Sequence, residues 1–149
     1  MKEQSLVLIK PDAMHTGMGG AIIARFQKAG LDLIALKMVH MDRTLAEKHY
    51  AVHKDRKFFP ELVEYITSAP IIAMVFEGEN AVERIRKMMG STDPAKADKG
   101  TLRADFGTDI QHNAVHGSDA VQTAQQEIAL FFAPSEIYSP RRKQTATES

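Results

Sequence analysis

The sequence predicts one mixed domain, α/β or α+β in class, in which helices cover a small sheet. Three observations carry that expectation. Short apolar runs alternate with segments of helical spacing along 149 residues, with no repeats or linkers between them. The composition, 44% hydrophobic and 26% charged, is that of a globular chain of single-domain length. A chain of this size buries roughly two-thirds of the surface it exposes when unfolded, so no metal or cross-link is needed to hold it. It contains no cysteine, which excludes disulfide frameworks, thiolate-ligated zinc and thiol nucleophiles.

Ser5 to Lys10 reads as a short buried strand stopped by Pro11-Asp12. After the turn Gly17-Met18-Gly19-Gly20, Ile22, Ile23, Phe26 and Ala29 fall at helical spacing, and Gly30 ends that helix. Leu31 to Met41 is a longer strand with Leu33, Ala35, Val39 and Met41 on one face. Asp42 or Thr44 caps a helix running through Leu45, His49 and Val52. A further helix carries Leu62, Val63, Tyr65 and Ile66 after Pro60, and Ser68-Ala69-Pro70 breaks it. Ile71 to Phe76 is the clearest strand signal in the chain. Asn80 suits an N-cap before a helix with Ile85, Met88 and Met89 on its apolar face, closed by Gly90. Residues 91 to 112 form a long polar connection without periodicity, a kind of segment that is usually functional in compact domains. Val115 and His116 precede Gly117-Ser118-Asp119, where Ser118 is placed to cap a last helix through Leu130. From Pro134 the tail is polar, carries Arg141-Arg142-Lys143, and is expected to pack peripherally or fray.

Lys plus Arg balances Asp plus Glu, 19 against 19, so no long-range field draws the chain to nucleic acid or an anionic membrane. The apolar stretch Leu6 to Ile9 is too short for a signal-peptide core, and no apolar run approaches a membrane span. The expectation is a soluble cytoplasmic protein.

Chemistry is then sought in a few placed residues. The glycine-rich turn is not a Walker A loop, and Ile22 stands where a dinucleotide fingerprint needs its third glycine. It reads as a turn leading into a helix. His49 and His53 are four apart on a helix, but no third ligand stands at a diagnostic spacing and HExxH is absent. His15, His40 and His112 read as ordinary loop or strand-surface residues. His116 differs, because it stands at a strand-to-helix junction with small neighbours, where backbone N–H groups favour a phosphate. A neutral imidazole is a competent nucleophile at pH 7, and a carboxylate on one ring nitrogen fixes the tautomer of the other. Glu127, nine residues beyond Ser118, reaches back to it only if its side chain faces inward. The competing reading is a buried or capping histidine. Lys10, Arg86 and Arg103 supply fixed positive charge, although each taken singly reads as a solvated surface charge. Thr92 and Arg103 offer donors from one loop region. Of Phe58-Phe59, one ring packs inward and the other remains exposed to stack on a base.

Taken in order, these residues resemble the nucleoside diphosphate kinases. The matching segments are Leu8-Ile9-Lys10-Pro11-Asp12-Ala13, His49-Tyr50, Phe58-Phe59, Ser68-Ala69-Pro70, Glu77-Gly78, Gly90-Ser91-Thr92-Asp93-Pro94, Gly100-Thr101-Leu102-Arg103-Ala104-Asp105-Phe106 and Asn113-Ala114-Val115-His116-Gly117-Ser118-Asp119. They are collinear and span a core of residues 5 to about 134 within one domain of residues 1–149, leaving 135–149 as a tail. The Asn-x-x-His-Gly-Ser-Asp segment is highly specific to that family.

The resemblance implies an α+β, ferredoxin-like sandwich with a four-stranded antiparallel sheet covered by helices. It also implies ping-pong transfer of the γ-phosphate of a nucleoside triphosphate, mainly ATP, through a phosphohistidine on His116 to nucleoside diphosphates, maintaining NTP and dNTP pools. By match, Glu127 orients the imidazole and Ser118 supports Glu127. Lys10, Tyr50, Arg86, Thr92, Arg103 and Asn113 contact phosphates or ribose, and Phe58 stacks on the base with Ile110 a weaker partner opposite. Mg²⁺ rides on the nucleotide phosphates rather than in a protein cage. A homo-oligomer, tetramer or hexamer, is implied as well. Lys99 departs from the pattern, since some members carry proline directly before the Gly-Thr-x-Arg segment; Pro94 is in place. Two other readings compete: a nucleic-acid-binding module on the same fold, which needs exposed aromatic pairs on the central strands and a basic surface, and a nucleotide sensor without turnover.

Overall fold

Leu6 to Ile9 is apolar without a break, as a strand buried on both faces must be. In the computed structural model, which describes residues 2–138, these residues end β1 (Lys2–Ile9). Arg141-Arg142-Lys143 and the rest of the tail from residue 139 lie outside the described residues. The other strands are β2 (Asp32–Val39), β3 (Ile71–Glu79) and β4 (Val115–Gly117), and the sheet order is β2-β3-β1-β4. Every neighbouring pair is antiparallel. The class is therefore α+β, with the strand order of a ferredoxin-like fold.

The period-two alternation of β1 feeds two cores. Leu6 and Leu8 join Ala73 and Val75 on one face, under α3 (Arg43–His49), α4 (Phe59–Ile66) and α7 (Val121–Phe131). Val7 and Ile9 join Met74 and Phe76 on the other, under α2 (Gly19–Lys28), α5 (Ala81–Met89) and the short α6 (Leu102–Phe106). A further short helix, α1 (Pro11–His15), follows β1 directly. No helix of the described residues is long and apolar enough to cross a membrane.

Several expectations are corrected by long-range pairing. Pro11 does not merely stop β1; it opens α1, where its missing N–H is one the helix start leaves unpaired anyway. On β2, Leu33 lies opposite Phe76 and Ala35 opposite Val75, so Ile34 is an extra residue. This β-bulge sends Leu33 to the Phe76 core and Ile34, Ala35 and Met41 to the other, splitting the expected single face. The helix through Leu45 ends at His49, and a 3₁₀ turn follows at Ala51–His53 with Val52 in solvent. Asp42 supplies its cap, accepting from the Leu45 N–H at 2.8 Å. Asn80 holds the N-cap position of α5 but in a left-handed conformation, φ 51°, with no side-chain cap. Glu3 Oε1 accepts from the Val82 N–H instead. Ser118 does not cap the last helix, which starts at Val121 behind Ala120.

The segment 91–112 is not featureless, for it contains a 3₁₀ turn at Pro94–Lys96 and α6, capped by Thr101. The described part of the tail forms a 3₁₀ turn at Pro134–Glu136 and docks on the sheet edge. There the Tyr138 N–H donates to the Ile34 carbonyl at 2.8 Å and Lys37 pairs with Glu136 at 3.1 Å.

Leu8 is fully buried between β3 and β4. Leu8→Ala should cost about 3 kcal/mol through lost transfer energy and a residual cavity. Urea unfolding checks this, and a loss under about 1 kcal/mol would mean that the core collapses onto the gap.

Candidate active site

The register that pairs Leu8 with His116 sets the imidazole beside the central strand. Opposite it, α7 turns Ala124, Glu127, Ile128 and Phe131 inward at spacings of three and four. Glu127 therefore sits in the buried stripe of its helix, and this is why it reaches back. His116 Nε2 lies 3.0 Å from Glu127 Oε2, and Ser118 Oγ donates to Glu127 Oε1 at 2.7 Å. Ser118 is itself anchored to β1, accepting from the Leu6 N–H at 3.1 Å.

Burial pushes the Glu127 carboxyl up. The His116 and Ser118 hydrogen bonds, with the electrostatics of the neighbouring His116 and His49 rings, outweigh that, so the net shift is downward and the group is ionised. An ionised carboxylate only accepts, which places the imidazole proton on Nε2 and the lone pair on Nδ1.

His49 is the residue whose place in the site sequence reasoning missed. It does not pair with His53, whose ring packs 5.5 Å from Phe58. Its side chain is wholly buried, edge-on to His116 with ring centroids 4.6 Å apart; neither ring nitrogen makes a hydrogen bond, and Nδ1 stands 3.8 Å from Glu127 Oε2. Burial, with the neighbouring His116, lowers its pKa to about 3, so it stays neutral. A usable signal was present, since His49 lies three residues after Ala46 and four after Leu45, on the inward stripe of α3. His49, His116 and Glu127 bring donor atoms within 4.8 Å of one another. Glu127 already accepts from both His116 and Ser118, so the trio reads as an acid–imidazole pair with a packing neighbour.

A cleft of about 900 Å³ opens in front of His116. It is lined by Lys10, Tyr50, Phe58, Arg86, Thr92, Arg103, Ile110, Asn113 and Glu127. Ser118 stands behind Glu127 rather than in the wall.

The cations divide by burial. Lys10 and Arg103, expected one by one to be solvated, are buried in the floor. Lys10 Nζ donates to the Gln111 carbonyl and Asn113 Oδ1, both at 2.9 Å, which leaves a third proton for the cleft. Arg103 spans the Gly90 carbonyl at 3.1 Å and the Val115 carbonyl at 2.9 Å. Burial, and then the charge of Arg86, lowers its pKa to about 10, leaving it cationic at neutral pH. Gly90 is required where it is. Its φ is 84°, and a Cβ there would sit 2.6 Å from Thr101 Oγ1.

Arg86 stands exposed at the rim, its Nη1 donating to the Asp119 carbonyl at 3.2 Å. Thr92 is also at the rim, and its carbonyl accepts from Asn113 Nδ2 at 3.0 Å. Tyr50 packs on His49 at 4.7 Å, and burial raises its phenol well above the usual value, so it remains a neutral donor. Phe59 packs against the core while Phe58 is 42% exposed at the cleft, as expected of that pair. An oriented neutral imidazole facing buried cations and exposed donors is equipment for attack on a phosphate group.

Comparison with known proteins agrees with this geometry. The family model for nucleoside diphosphate kinase matches residues 3–137. A nucleoside diphosphate kinase from Dehalococcoides mccartyi is 55% identical over 95% of this chain and 99% of its own length. One from Synechococcus elongatus is 53% identical over 91% of each chain. Among solved structures, a halophilic nucleoside diphosphate kinase from Halobacterium salinarum in complex with CDP superposes with a TM-score of 0.93. It is 40% identical and covers 100% of this chain and 99% of its own. The chain belongs to the nucleoside diphosphate kinase family.

The state of Lys10 gives a pH test. Burial lowers its pKa from 10.5 to about 8, only partly opposed by Asp12. The ammonium offered to the cleft is thus present below about pH 8 and lost as pH rises through it. Affinity for a non-hydrolysable ATP analogue, measured by calorimetry, should be flat to about pH 7.5 and fall above about pH 8, by up to about tenfold per pH unit. Lys10→Ala should remove that limb, and a wild-type affinity flat to pH 9.5 would contradict the assignment. The stability linkage has the opposite sense. The folded chain holds this proton less tightly than the unfolded one, so Lys10 costs stability below about pH 8 and the cost is relieved toward pH 10.5.

Proposed function

We propose that this chain carries a phosphoryl group on His116 between a nucleoside triphosphate, mainly ATP, and a nucleoside diphosphate, and so maintains NTP and dNTP pools. The observation that carries the proposal is the Glu127–His116 pair on the floor of a cationic cleft. Nδ1 attacks the γ-phosphorus, an N–P bond forms, and the bond from phosphorus to the β-bridging oxygen breaks. The diphosphate leaves with that electron pair. An acceptor diphosphate then takes the group by the reverse displacement, so one site serves both half-reactions. The Nε2 proton remains in its bond to Glu127 throughout, and Glu127 stabilises the imidazole as charge develops.

Lys10, Arg103 and Asn113 meet the transferring phosphate, and Arg86, Thr92 and Tyr50 hold the remaining phosphates and ribose. Phosphoryl transfer asks mainly for this positioning and charge stabilisation. Phe58 stacks on the base, with Ile110 across from it, and stacking is tolerant of base identity. The relative from Halobacterium salinarum in complex with CDP supports a diphosphate ligand.

Mg²⁺ borne by the nucleotide phosphates supplies neutralising charge. The donor set fits that arrangement: of the cleft's carboxylates, Glu127 is committed to His116 and Ser118, and Asp119 is exposed beside Arg86. Neither builds an oxygen cage. Cytoplasmic residence and a homo-oligomer, tetramer or hexamer, belong to the same proposal. The edge strand β2 supports assembly, with Leu36 and Met38 exposed on it. The nucleic-acid reading finds no platform among the described residues, because helices cover both faces of the sheet and Phe76 on β3 is buried.

The test is to mix the protein with γ-labelled ATP and Mg²⁺ and then chase with unlabelled GDP. One acid-labile, base-stable label should appear per chain and move to GTP, and His116→Ala should bind ATP and take no label. Acid-stable label would point to Ser118, and bound ATP with no label would favour the nucleotide sensor. Arg103→Ala should lower kcat by about a hundredfold while nucleotide affinity falls less than about tenfold, if its contacts strengthen in the transition state. Equal losses in steady-state kinetics and binding would make it a ground-state clamp.

A further inference from the structure

The backbone enters the catalytic strand through a strained residue. Ala114, immediately before β4, has φ 74°, a left-handed value that residues with a Cβ rarely adopt. Across it the Val115 N–H closes on the Asn113 carbonyl at 2.8 Å. A bond from residue i to i+2 around a positive φ is a γ-turn of the rare, strained kind. Asn113 opens this turn and His116 follows it, so its conformation decides where both side chains face the cleft.

Strain of this sort persists only where the surroundings over-determine it. Both backbone groups of Ala114 are gripped from one side of the molecule. Its carbonyl accepts from the Lys10 N–H at 2.9 Å, and its N–H donates to Asp12 Oδ2 at 3.0 Å. Asp12 is gripped in turn by Tyr65. The Tyr65 hydroxyl donates to Asp12 Oδ1 at 2.7 Å, and the Tyr65 hydroxyl oxygen accepts from the Asp12 N–H at 2.8 Å. Burial and the Asp12 hydrogen bond hold the Tyr65 phenol well above its usual pKa, so it stays protonated and continues to donate. Neither Tyr65 nor Asp12 lines the cleft. Tyr65 lies on α4, the helix whose N-cap is Phe58, so the hydroxyl ties the base-side helix to the nucleophile's strand.

We propose that Tyr65 and Asp12 are positioning residues for phosphoryl transfer, holding Ala114 in the turn that aims Asn113 and His116 into the cleft. The proposal rests on His116 being the phosphoryl carrier. A purely structural pair would, when broken, lower stability without slowing the chemical step in folded protein. A positioning pair slows that step while leaving the nucleotide contacts in place.

The experiment measures the single-turnover rate of label transfer from saturating γ-labelled ATP, together with ADP affinity, at a temperature where each variant is folded. Tyr65→Phe should slow labelling about tenfold, with affinity within about twofold of the parent. Asp12→Asn, measured at about pH 6.5 so that Lys10 keeps its proton without the Asp12 charge, should show the same split and serves if Tyr65→Phe folds poorly. Adding Ala114→Gly to Tyr65→Phe should return the rate to within about threefold of the parent, because glycine takes positive φ without a Cβ penalty. Parental rates in both single variants would overturn the proposal, as would a slow Tyr65→Phe that glycine leaves slow. A parent chain that takes no label overturns the functional reading itself, and this one with it.

Discussion

Everything in the cleft is arranged around one partly buried hydrogen bond, that between Glu127 and the Nε2–H of His116. A carboxylate in such a place would ordinarily be neutralised by desolvation. It remains charged because His116 and Ser118 together occupy both its oxygens. Ser118 holds its own position through the backbone of Leu6, so β1, β4 and α7 meet at this carboxylate. The consequence is chemical: a fixed proton on Nε2 leaves Nδ1 as the electron pair turned to the cleft. His49, neutral and packed edge-on, fills the space beside the ring and adds no charge to compete with that arrangement.

Around this pair the positive charge is graded from floor to rim. Lys10 and Arg103 are buried and tied to backbone carbonyls, so they cannot reorganise when charge shifts on a substrate. Electrostatic catalysis is strongest from groups prepared in that way. Arg86, Thr92 and Phe58 are exposed and adaptable, which suits parts of a ligand that change between half-reactions. Lys10 shows the cost of such preparation. Its charge is kept in the floor against desolvation, and it becomes titratable near pH 8 as a result.

Much of this was legible in the chain, and the parts that were not share a cause. The two-sided burial of β1, the strand at Ile71 and the Asp42 cap are local patterns, and each holds. The split of Phe58 and Phe59 holds as well. The bulge at Ile34 depends on the register against β3, which no local pattern encodes. Ser118 looked like a helix cap because Ser before a helix usually is one. Its hydroxyl went instead to Glu127, a partner nine residues on. Lys10 and Arg103 read as surface charges because the carbonyls that accept from them come from distant or structureless-looking segments, Gln111 and Gly90 among them. The resemblance supplied the roles of these residues where residue type and spacing alone left alternatives open. It said nothing of the turn at Ala114.

The central claim is that Glu127 fixes the tautomer and thereby chooses the nucleophilic nitrogen. The most direct measurement is nitrogen–phosphorus NMR on the phosphorylated protein carrying ¹⁵N-labelled histidine. The account predicts phosphorus coupled to Nδ1 of His116, with Nε2 protonated and hydrogen-bonded. Phosphorus on Nε2 would contradict it, because the bond to Glu127 would then have to break before the chemistry could begin.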